Sequence, residues 1–159
     1  MKGEPAERLD PRAITLWRIA GTLYVLPLLV GACIAAPALV RFGEFPFFFA
    51  VLPALAVLVL GIVVVGAAPG LRWRRWRYEI RPDEIDLQRG ILWVARTLVP
   101  LARIQHVDTR QGPLQRRFGL STVVFYTAAG PNHIPELSTP VAAEVRDRIA
   151  VLTREQDEL

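Results

Sequence analysis

Two long apolar segments fill the first half of the chain, and shorter segments of alternating polarity follow in the second half. Residues 19–40 and 45–71 contain no charged side chain, and a short loop at 41–44 separates them. A helix needs about 20 apolar residues to cross the hydrocarbon core of a bilayer. The pattern therefore predicts a transmembrane helical hairpin over residues 19–71, with helices at about 19–40 and 45–68.

The first predicted helix contains prolines, which membrane helices tolerate better than soluble helices do. Its Gly31 and Ala35 stand four residues apart, and this spacing of small side chains lets a neighbouring helix approach closely. The neighbour is the second helix of the hairpin or, alternatively, a second copy of the chain. A cleaved signal peptide is the less favoured interpretation, because the apolar run is too long and a second run follows at once.

Basic residues flank the hairpin and are rare in its loop. The loop contains only Arg41, whereas four basic residues stand on each side: Lys2, Arg8, Arg12 and Arg18 before the hairpin, and Arg72, Arg74, Arg75 and Arg77 after it. Segments rich in Lys and Arg next to a membrane span stay in the cytoplasm. We therefore predict a multi-pass plasma (inner) membrane protein with both termini cytoplasmic. Its N-terminal segment, residues 1–18, is expected to be largely disordered.

Residues 72–159 form one small cytoplasmic domain in this interpretation. Apolar side chains alternate with polar ones, and turn residues separate the alternating segments. The alternation predicts short strands at 76–80, 85–88, 91–101, 104–111, 120–127 and 133–137.

A different periodicity marks the end of the chain. Apolar residues recur at helical spacing after Thr139, which is a favourable N-cap. These residues are Val141, Val145, Ile149 and Leu152. They predict a helix at about 140–153. The predicted fold class is therefore that of an α+β membrane protein: a transmembrane hairpin, then a small antiparallel β-barrel or sheet capped by a C-terminal helix.

Three stretches of this domain resemble the sequence pattern of the bacterial pleckstrin-homology-like membrane proteins. They are VPLARIQHVD at 99–108, QGPLQRRFGL at 111–120 and TAAG at 127–130. The resemblance covers nearly the whole chain from the first helix onward, and it implies a pleckstrin-homology-like (PH-like) domain. Eukaryotic PH domains that bind phosphoinositides resemble one another in a Lys and Arg cluster at the first strand–turn–strand. The corresponding turn at 81–84 reads Arg-Pro-Asp-Glu here, which argues against recognition of inositol phosphates.

Aromatic and basic residues cluster where the hairpin meets the polar segments. Tryptophan and arginine both suit the membrane–water interface, and arginine is attracted to anionic headgroups. Membrane-interface or lipid contact is predicted for Trp17, Arg18, Arg72, Trp73, Arg74, Arg75, Trp76 and Arg77. The alternative is that these residues serve only to set the topology.

A second group of polar residues lies on the strand predicted at 104–111 and just after it. Three of them alternate along the strand and therefore share one face. The candidate partner-binding residues are His106, Asp108, Arg110, Arg116 and Arg117. The alternative is a solvated charged surface. No third metal ligand stands at a useful spacing from the two histidines, so neither a metal nor a cofactor is predicted.

The chain carries no sequence motif of a familiar enzyme class. It contains no Gly-rich phosphate loop, no nucleophile elbow and no HExxH motif. The apolar segments also lack the acids and bases that transport pathways use. The formal net charge is +4, but the basic residues adjoin apolar segments, which favours anionic lipid over nucleic acid as their partner. Cys33 is the single cysteine and forms no intrachain disulfide.

We therefore interpret the protein as a membrane-anchored PH-like interaction or scaffold module at the cytoplasmic face, without catalytic activity. Its expected partners are the phospholipid bilayer and a membrane or cytoplasmic protein, or further copies of itself. No nucleic-acid partner is expected. The alternatives are a domain that binds or senses anionic lipid, and an accessory subunit of a membrane transport or export complex.

Overall fold

The computed structural model describes residues 3–43 and 46–157. The predicted start of the second helix at Phe45 and part of the predicted loop lie outside the described residues, as does Lys2, which contributed to the predicted orientation. The chain forms two compact units. One comprises Trp17–Gly70, and the other combines the residues up to Leu16 with those from Leu71 onward.

The first unit is built from the two apolar segments. Helix α1 spans Arg12–Phe42, and it is followed by α2 at Phe47–Gly61, a π-helical stretch at Ile62–Ala67 and α3 at Ala68–Arg75. Both continuous helical segments are long and apolar enough to cross a membrane. Few of their apolar side chains are covered by protein, so the structure leaves them to be solvated by lipid. The predicted helices are present, and α1 begins earlier than residue 19.

Glycines allow close helix approach within this unit, at positions other than the predicted ones. A Cβ at Gly61 would stand 2.7 Å from Cγ1 of Val25, and a Cβ at Gly21 would stand 3.3 Å from Cγ2 of Val65. By contrast, a Cβ at Gly31 would meet nothing within 4 Å, and Ala35 is exposed as well. The prediction that Gly31 and Ala35 pack inside the hairpin was wrong, because they face away from the second helix.

The second unit contains two antiparallel sheets. The first has the strand order β1-β2-β3-β4, and the second has the order β5-β6-β7. The strands are β1 Glu7–Arg8, β2 Arg77–Ile80, β3 Glu84–Arg89, β4 Ala95–Pro100, β5 Ile104–Arg110, β6 Leu120–Thr127 and β7 Gly130–Ser138. A short helix, α4 at Pro113–Phe118, joins β5 to β6, and the long helix α5 spans Thr139–Asp157. The sheets do not close into one barrel, so the sheet alternative of the prediction applies.

The hydrophobic core of this unit lies between the sheets and α5. The strands contribute large buried side chains to it, among them Tyr78 on β2, Leu87 on β3 and Phe125 on β6. Helix α5 contributes Val145 and Ile149 from the predicted face, whereas Val141, predicted on the same face, is exposed. Complete burial of such a side chain stabilises the fold by about 1.5–3 kcal/mol.

The segment before the first helix is ordered, which corrects the prediction of disorder. Strand β1 pairs with β2 in the register Glu7↔Tyr78, and Leu9 is 2% exposed. The amide of Asp10 donates to the carbonyl of Glu136 at 3.1 Å. The segment is polar in composition, but its few apolar side chains enter the core formed by residues far along the chain.

Two strands begin three or more residues away from their predicted starts. The strand expected at 91–101 begins only at Ala95, because residues 90–94 form the turn between β3 and β4. Strand β7 begins at Gly130, ahead of the expected residue 133. Helix α4 ends at Gly119, which adopts the left-handed conformation with φ 63°.

Candidate functional site

Strand β5 presents a row of polar side chains to solvent. His106, Asp108 and Arg110 occupy alternate positions, so their side chains emerge on the same side of the strand. His106 Nε2 lies 2.9 Å from Oδ2 of Asp108, and both residues are well exposed. Strand β5 is at the edge of its sheet, so one side of this row is bordered by β6 and the other is not bordered by a strand.

Tyr126 on β6 joins these three residues into one cluster. The strand register places it opposite His106, and the two ring centroids are 5.4 Å apart. The guanidinium carbon of Arg110 lies 5.8 Å from the centre of the Tyr126 ring, and the same guanidinium donates to the Tyr126 hydroxyl. We call His106, Asp108, Arg110 and Tyr126 the β5 cluster. Sequence reasoning missed Tyr126, because only the pairing register reveals which β6 residue stands beside His106.

The β5 cluster offers several kinds of polar and aromatic contact. It offers an anion, a cation and an aromatic face within one patch, which together can bind a polar peptide surface. The His106–Asp108 pair has no nucleophile beside it among the described residues. Ser121 is buried and bonds to the hydroxyl of Thr139 instead, at 3.1 Å.

Arg116 and Arg117 do not belong to the β5 cluster. Both are exposed on α4. In the part of the chain that the structure describes, neither side chain forms a hydrogen bond or an ion pair with the cluster. The predicted five-residue patch is therefore two surfaces, one on β5 and one on α4.

Trp76 is part of the domain core, which corrects its predicted lipid contact. It is 3% exposed. Trp76 directly precedes β2, and its side chain is buried as that of Tyr78 is. Trp73 is only partly accessible: its indole Nε1 donates to the carbonyl of Leu9 at 2.9 Å, and the guanidinium of Arg8 lies 5.6 Å from its ring. Arg77 lies 3.7 Å from a carboxylate oxygen of Glu4.

Other members of the predicted interface group remain accessible. Arg74 and Arg75 are exposed in the last turn of α3. Trp17 and Arg18 belong to the helical unit, where Arg18 donates to the carbonyl of Gly66 at 3.4 Å. Their contact with lipid stays a prediction.

A basic cavity of about 380 Å³ opens beside the end of α3. Its charged and titratable lining comes from Arg72, Arg89 and His133, and Trp76, Gly90 and Ile91 complete it. Burial lowers the pKa of His133, and the nearby charges of Arg89 and Arg72 lower it further. An anion in this cavity would meet two guanidinium groups and an imidazole. Sequence reasoning missed it, because its three walls come from distant parts of the chain.

A second and larger cleft lies where β4 ends beside the turn between β6 and β7. Its volume is about 620 Å³, and its lining includes Leu98, Pro100, Arg103, Ala128 and Asn132. The lining is mostly apolar or amide in character. Among the described residues, no group of three His, Cys, Asp or Glu side chains is placed to hold a metal ion here or elsewhere.

Comparisons with known proteins complete these observations. The family model of the bacterial PH domain matches residues 22–153. The UPF0699 transmembrane protein YdbS of Bacillus subtilis (strain 168) is 35% identical over 158 residues, which cover 99% of this chain and 99% of that protein. The UPF0699 transmembrane protein YdbT of the same organism is 30% identical over 96 residues, which cover 60% of this chain and 19% of that protein. No solved structure matches the chain significantly.

Proposed function

The chain belongs to the bacterial PH domain family, and from that premise we propose that it is a membrane-anchored interaction module. The apolar hairpin holds the protein in the plasma membrane, and the PH-like domain presents the β5 cluster to a protein partner at the cytoplasmic face. The domain binds its partner without catalysing a reaction.

The pairing of β1 with β2 supports the proposed topology. The two strands flank the apolar segment in the sequence, yet they are neighbours in one sheet. A chain that crosses the bilayer between them must cross it an even number of times, as a hairpin does. The distribution of basic residues around the hairpin favours the cytoplasmic side for this sheet.

The β5 cluster is the observation that carries the proposed function. It combines exposed charges of both signs with an aromatic ring on an edge strand, and the domain core uses none of these groups. Aromatic residues and arginine are the side chains most enriched at the energetic centres of protein interfaces. Contact with a lipid surface does not require charges of both signs beside an aromatic ring. The composition of the cluster therefore favours a protein partner.

Crosslinking in cells tests this proposal. The full-length protein is compared with the His106→Ala/Asp108→Ala variant, which removes the exposed ion pair of the cluster. The matched control is Arg146→Ala/Asp147→Ala, which removes an exposed ion pair of 2.6 Å on α5. We expect one crosslinked protein to be lost in the cluster variant and kept in the control. An unchanged set of crosslinked proteins in both variants would contradict the proposal.

The basic cavity favours a second candidate function, binding of an anionic lipid headgroup. Arg72, Arg89 and His133 converge on a space large enough for a phosphate group. The test is mass spectrometry of phospholipid that copurifies with the full-length protein in mild detergent. Arg89→Gln is expected to reduce the retained anionic lipid, whereas Arg146→Gln, on α5, is expected to leave it unchanged. Equal retention by both variants would exclude this function.

A further inference from the structure

The turn between β3 and β4 exposes large apolar side chains to solvent. We call residues 90–94 the tip loop. Leu92 and Trp93 are each 87% exposed, and Val94 is 47% exposed. Two adjacent side chains of this size on a loop contribute nothing to the core. Removing these side chains from water would therefore lower the free energy of the protein.

The tip loop makes a tight turn. Gly90 adopts φ 128°, and a Cβ at this position would stand 1.8 Å from the carbonyl oxygen of Trp93. The strands on either side are paired up to Arg89↔Ala95. Leu92 and Trp93 therefore lie in a tight turn at the end of the β3–β4 hairpin, where both are exposed.

The tip loop lies at the end of the sheet where the chain arrives from the apolar helix. Strand β2 starts at Arg77, which pairs with Gln88 near the end of β3, whereas Ile80 pairs with Ile85 at the opposite end. The basic cavity contains Arg72 as well as Gly90 and Ile91 of the tip loop. Arg72 follows directly after the last residue of the apolar run 45–71. The loop thus lies near Arg72, the first residue after the apolar run.

The charges around the tip loop suit a membrane surface. Arg89 directly precedes it and lines the basic cavity, and no acidic residue occurs in the sequence between Asp86 and Asp108. Tryptophan is enriched at the level of the lipid headgroups, and nearby arginines are attracted to anionic lipids there.

We propose that the tip loop inserts Leu92 and Trp93 into the interfacial layer of the same bilayer that holds the two helices. Helices α1 and α3 join the hairpin to the domain, and the loop provides a third attachment of the domain to the bilayer. This inference does not depend on the identity of any protein partner.

Depth measurements on the full-length protein test the inference. Cys33 is first replaced by Ser, and a single spin label is then attached through Leu92→Cys, Trp93→Cys or Asp83→Cys. Asp83 is the control, because it is exposed in the turn between β2 and β3 at the opposite end of the sheet. Each protein is reconstituted into phosphatidylcholine–phosphatidylglycerol vesicles. Collision rates with oxygen, which concentrates in lipid, and with a water-soluble nickel complex are then compared.

Labels at 92 and 93 are expected to collide severalfold less with the nickel complex than the label at 83 does, and more with oxygen. Equal access of the nickel complex to all three labels would overturn the inference. Protection from both reagents, with spin–spin broadening that unlabelled protein dilutes away, would instead assign the loop to a second copy and would also overturn it. Each labelled variant retains one of the two apolar side chains, since Leu92→Cys keeps Trp93 and Trp93→Cys keeps Leu92. Agreement between the two labels therefore shows that the result does not depend on which side chain was replaced. A melting curve confirms that each variant is folded.

Discussion

Arg96 on β4 holds the buried carboxylate of Asp86 on β3 with two parallel hydrogen bonds. Its Nε donates to Oδ1 at 3.0 Å, and its Nη2 donates to Oδ2 at 2.6 Å. Asp86 is fully buried, whereas the Arg96 side chain is 33% exposed. Arg81 lies 3.4 Å from the same carboxylate, and Arg96 also donates to the carbonyl of Gly3 at 2.7 Å. One buried charge therefore joins two strands and the N-terminal segment.

Breaking this pair is expected to destabilise the domain strongly. Removal of one partner of a fully buried pair costs about 3–5 kcal/mol, and we expect about 2 kcal/mol for Arg96→Met, because Arg81 remains and Arg96 is partly solvated. The free energy of unfolding is measured by tryptophan fluorescence in detergent with increasing denaturant. Asp86→Leu/Arg96→Met is the compensated control and should recover part of the loss. A single variant as stable as the wild type would contradict this account.

The environment of His133 predicts a loss of stability in mild acid. Burial, and then the charges of Arg89 and Arg72, lower its pKa from the ordinary value of 6.5. The unfolded chain therefore binds a proton more readily than the folded domain, and stability falls as the pH drops from 6.5 towards the folded pKa. His133→Gln should flatten the dependence of the melting temperature on pH in this window. If His106→Gln, which removes an exposed imidazole, flattens it equally, the assignment to His133 is wrong.

The tip loop is expected to depend on Gly90. Both Gly90 and Gly130 have positive φ angles, of 128° and 121°, but a Cβ at Gly130 would meet nothing within 4 Å. Gly130→Ala should cost about 1–3 kcal/mol from backbone strain. Gly90→Ala carries the same strain and a collision with the Trp93 carbonyl as well, so it should lower the melting temperature more. Equal shifts of the melting temperature for the two variants would contradict the described turn.

Glycines in the two membrane helices are predicted to differ in importance. Gly61→Leu should disrupt the packing of the hairpin, because even a Cβ there would stand 2.7 Å from Val25. Gly31→Leu should be tolerated, since its surroundings within the chain are open. Thermal aggregation in mild detergent measures both effects. If Gly31→Leu is the more harmful substitution, Gly31 packs against another chain, which is the alternative that its spacing from Ala35 left open.

A substitution at Leu9 measures how much the ordered N-terminal segment contributes to the stability of the domain. We expect Leu9→Ala to destabilise the domain by about 2 kcal/mol or more, because it leaves a cavity in a packed core. Val151→Ala is the control, since Val151 is exposed on α5. The free energies of unfolding are compared for the two variants. Equal values would mean that the segment before α1 adds nothing to the core.

Local sequence was sufficient to predict the two apolar helices and α5. The two apolar helices follow from the length of their uncharged runs, whereas α5 follows from the helical spacing of its apolar residues after Thr139. The left-handed conformation of Gly119 at the end of α4 also has a local cause, since glycine adopts a positive φ without steric cost. Such features need no knowledge of distant parts of the chain.

Features that depend on long-range pairing were not predictable. Trp76 stands among arginines, which suggested the membrane interface, but the register of β2 turns it into the core. Strand β1 has only two residues and no alternation, and its partner lies beyond the hairpin. The tip loop did leave a signal: residues 91–94 are uniformly apolar, whereas a half-buried strand alternates.

The pairing of β1 with β2 makes completion of the domain conditional on membrane insertion. During synthesis, Glu7 and Arg8 emerge well before Tyr78, and the whole apolar segment is made in the interval. If the second helix failed to return across the bilayer, the two strands would be on opposite sides and the first sheet would lack its edge. Leu9 would then have no core to enter. A misinserted molecule would therefore be distinguishable from a correct one by its incomplete fold, which a quality-control protease can recognise.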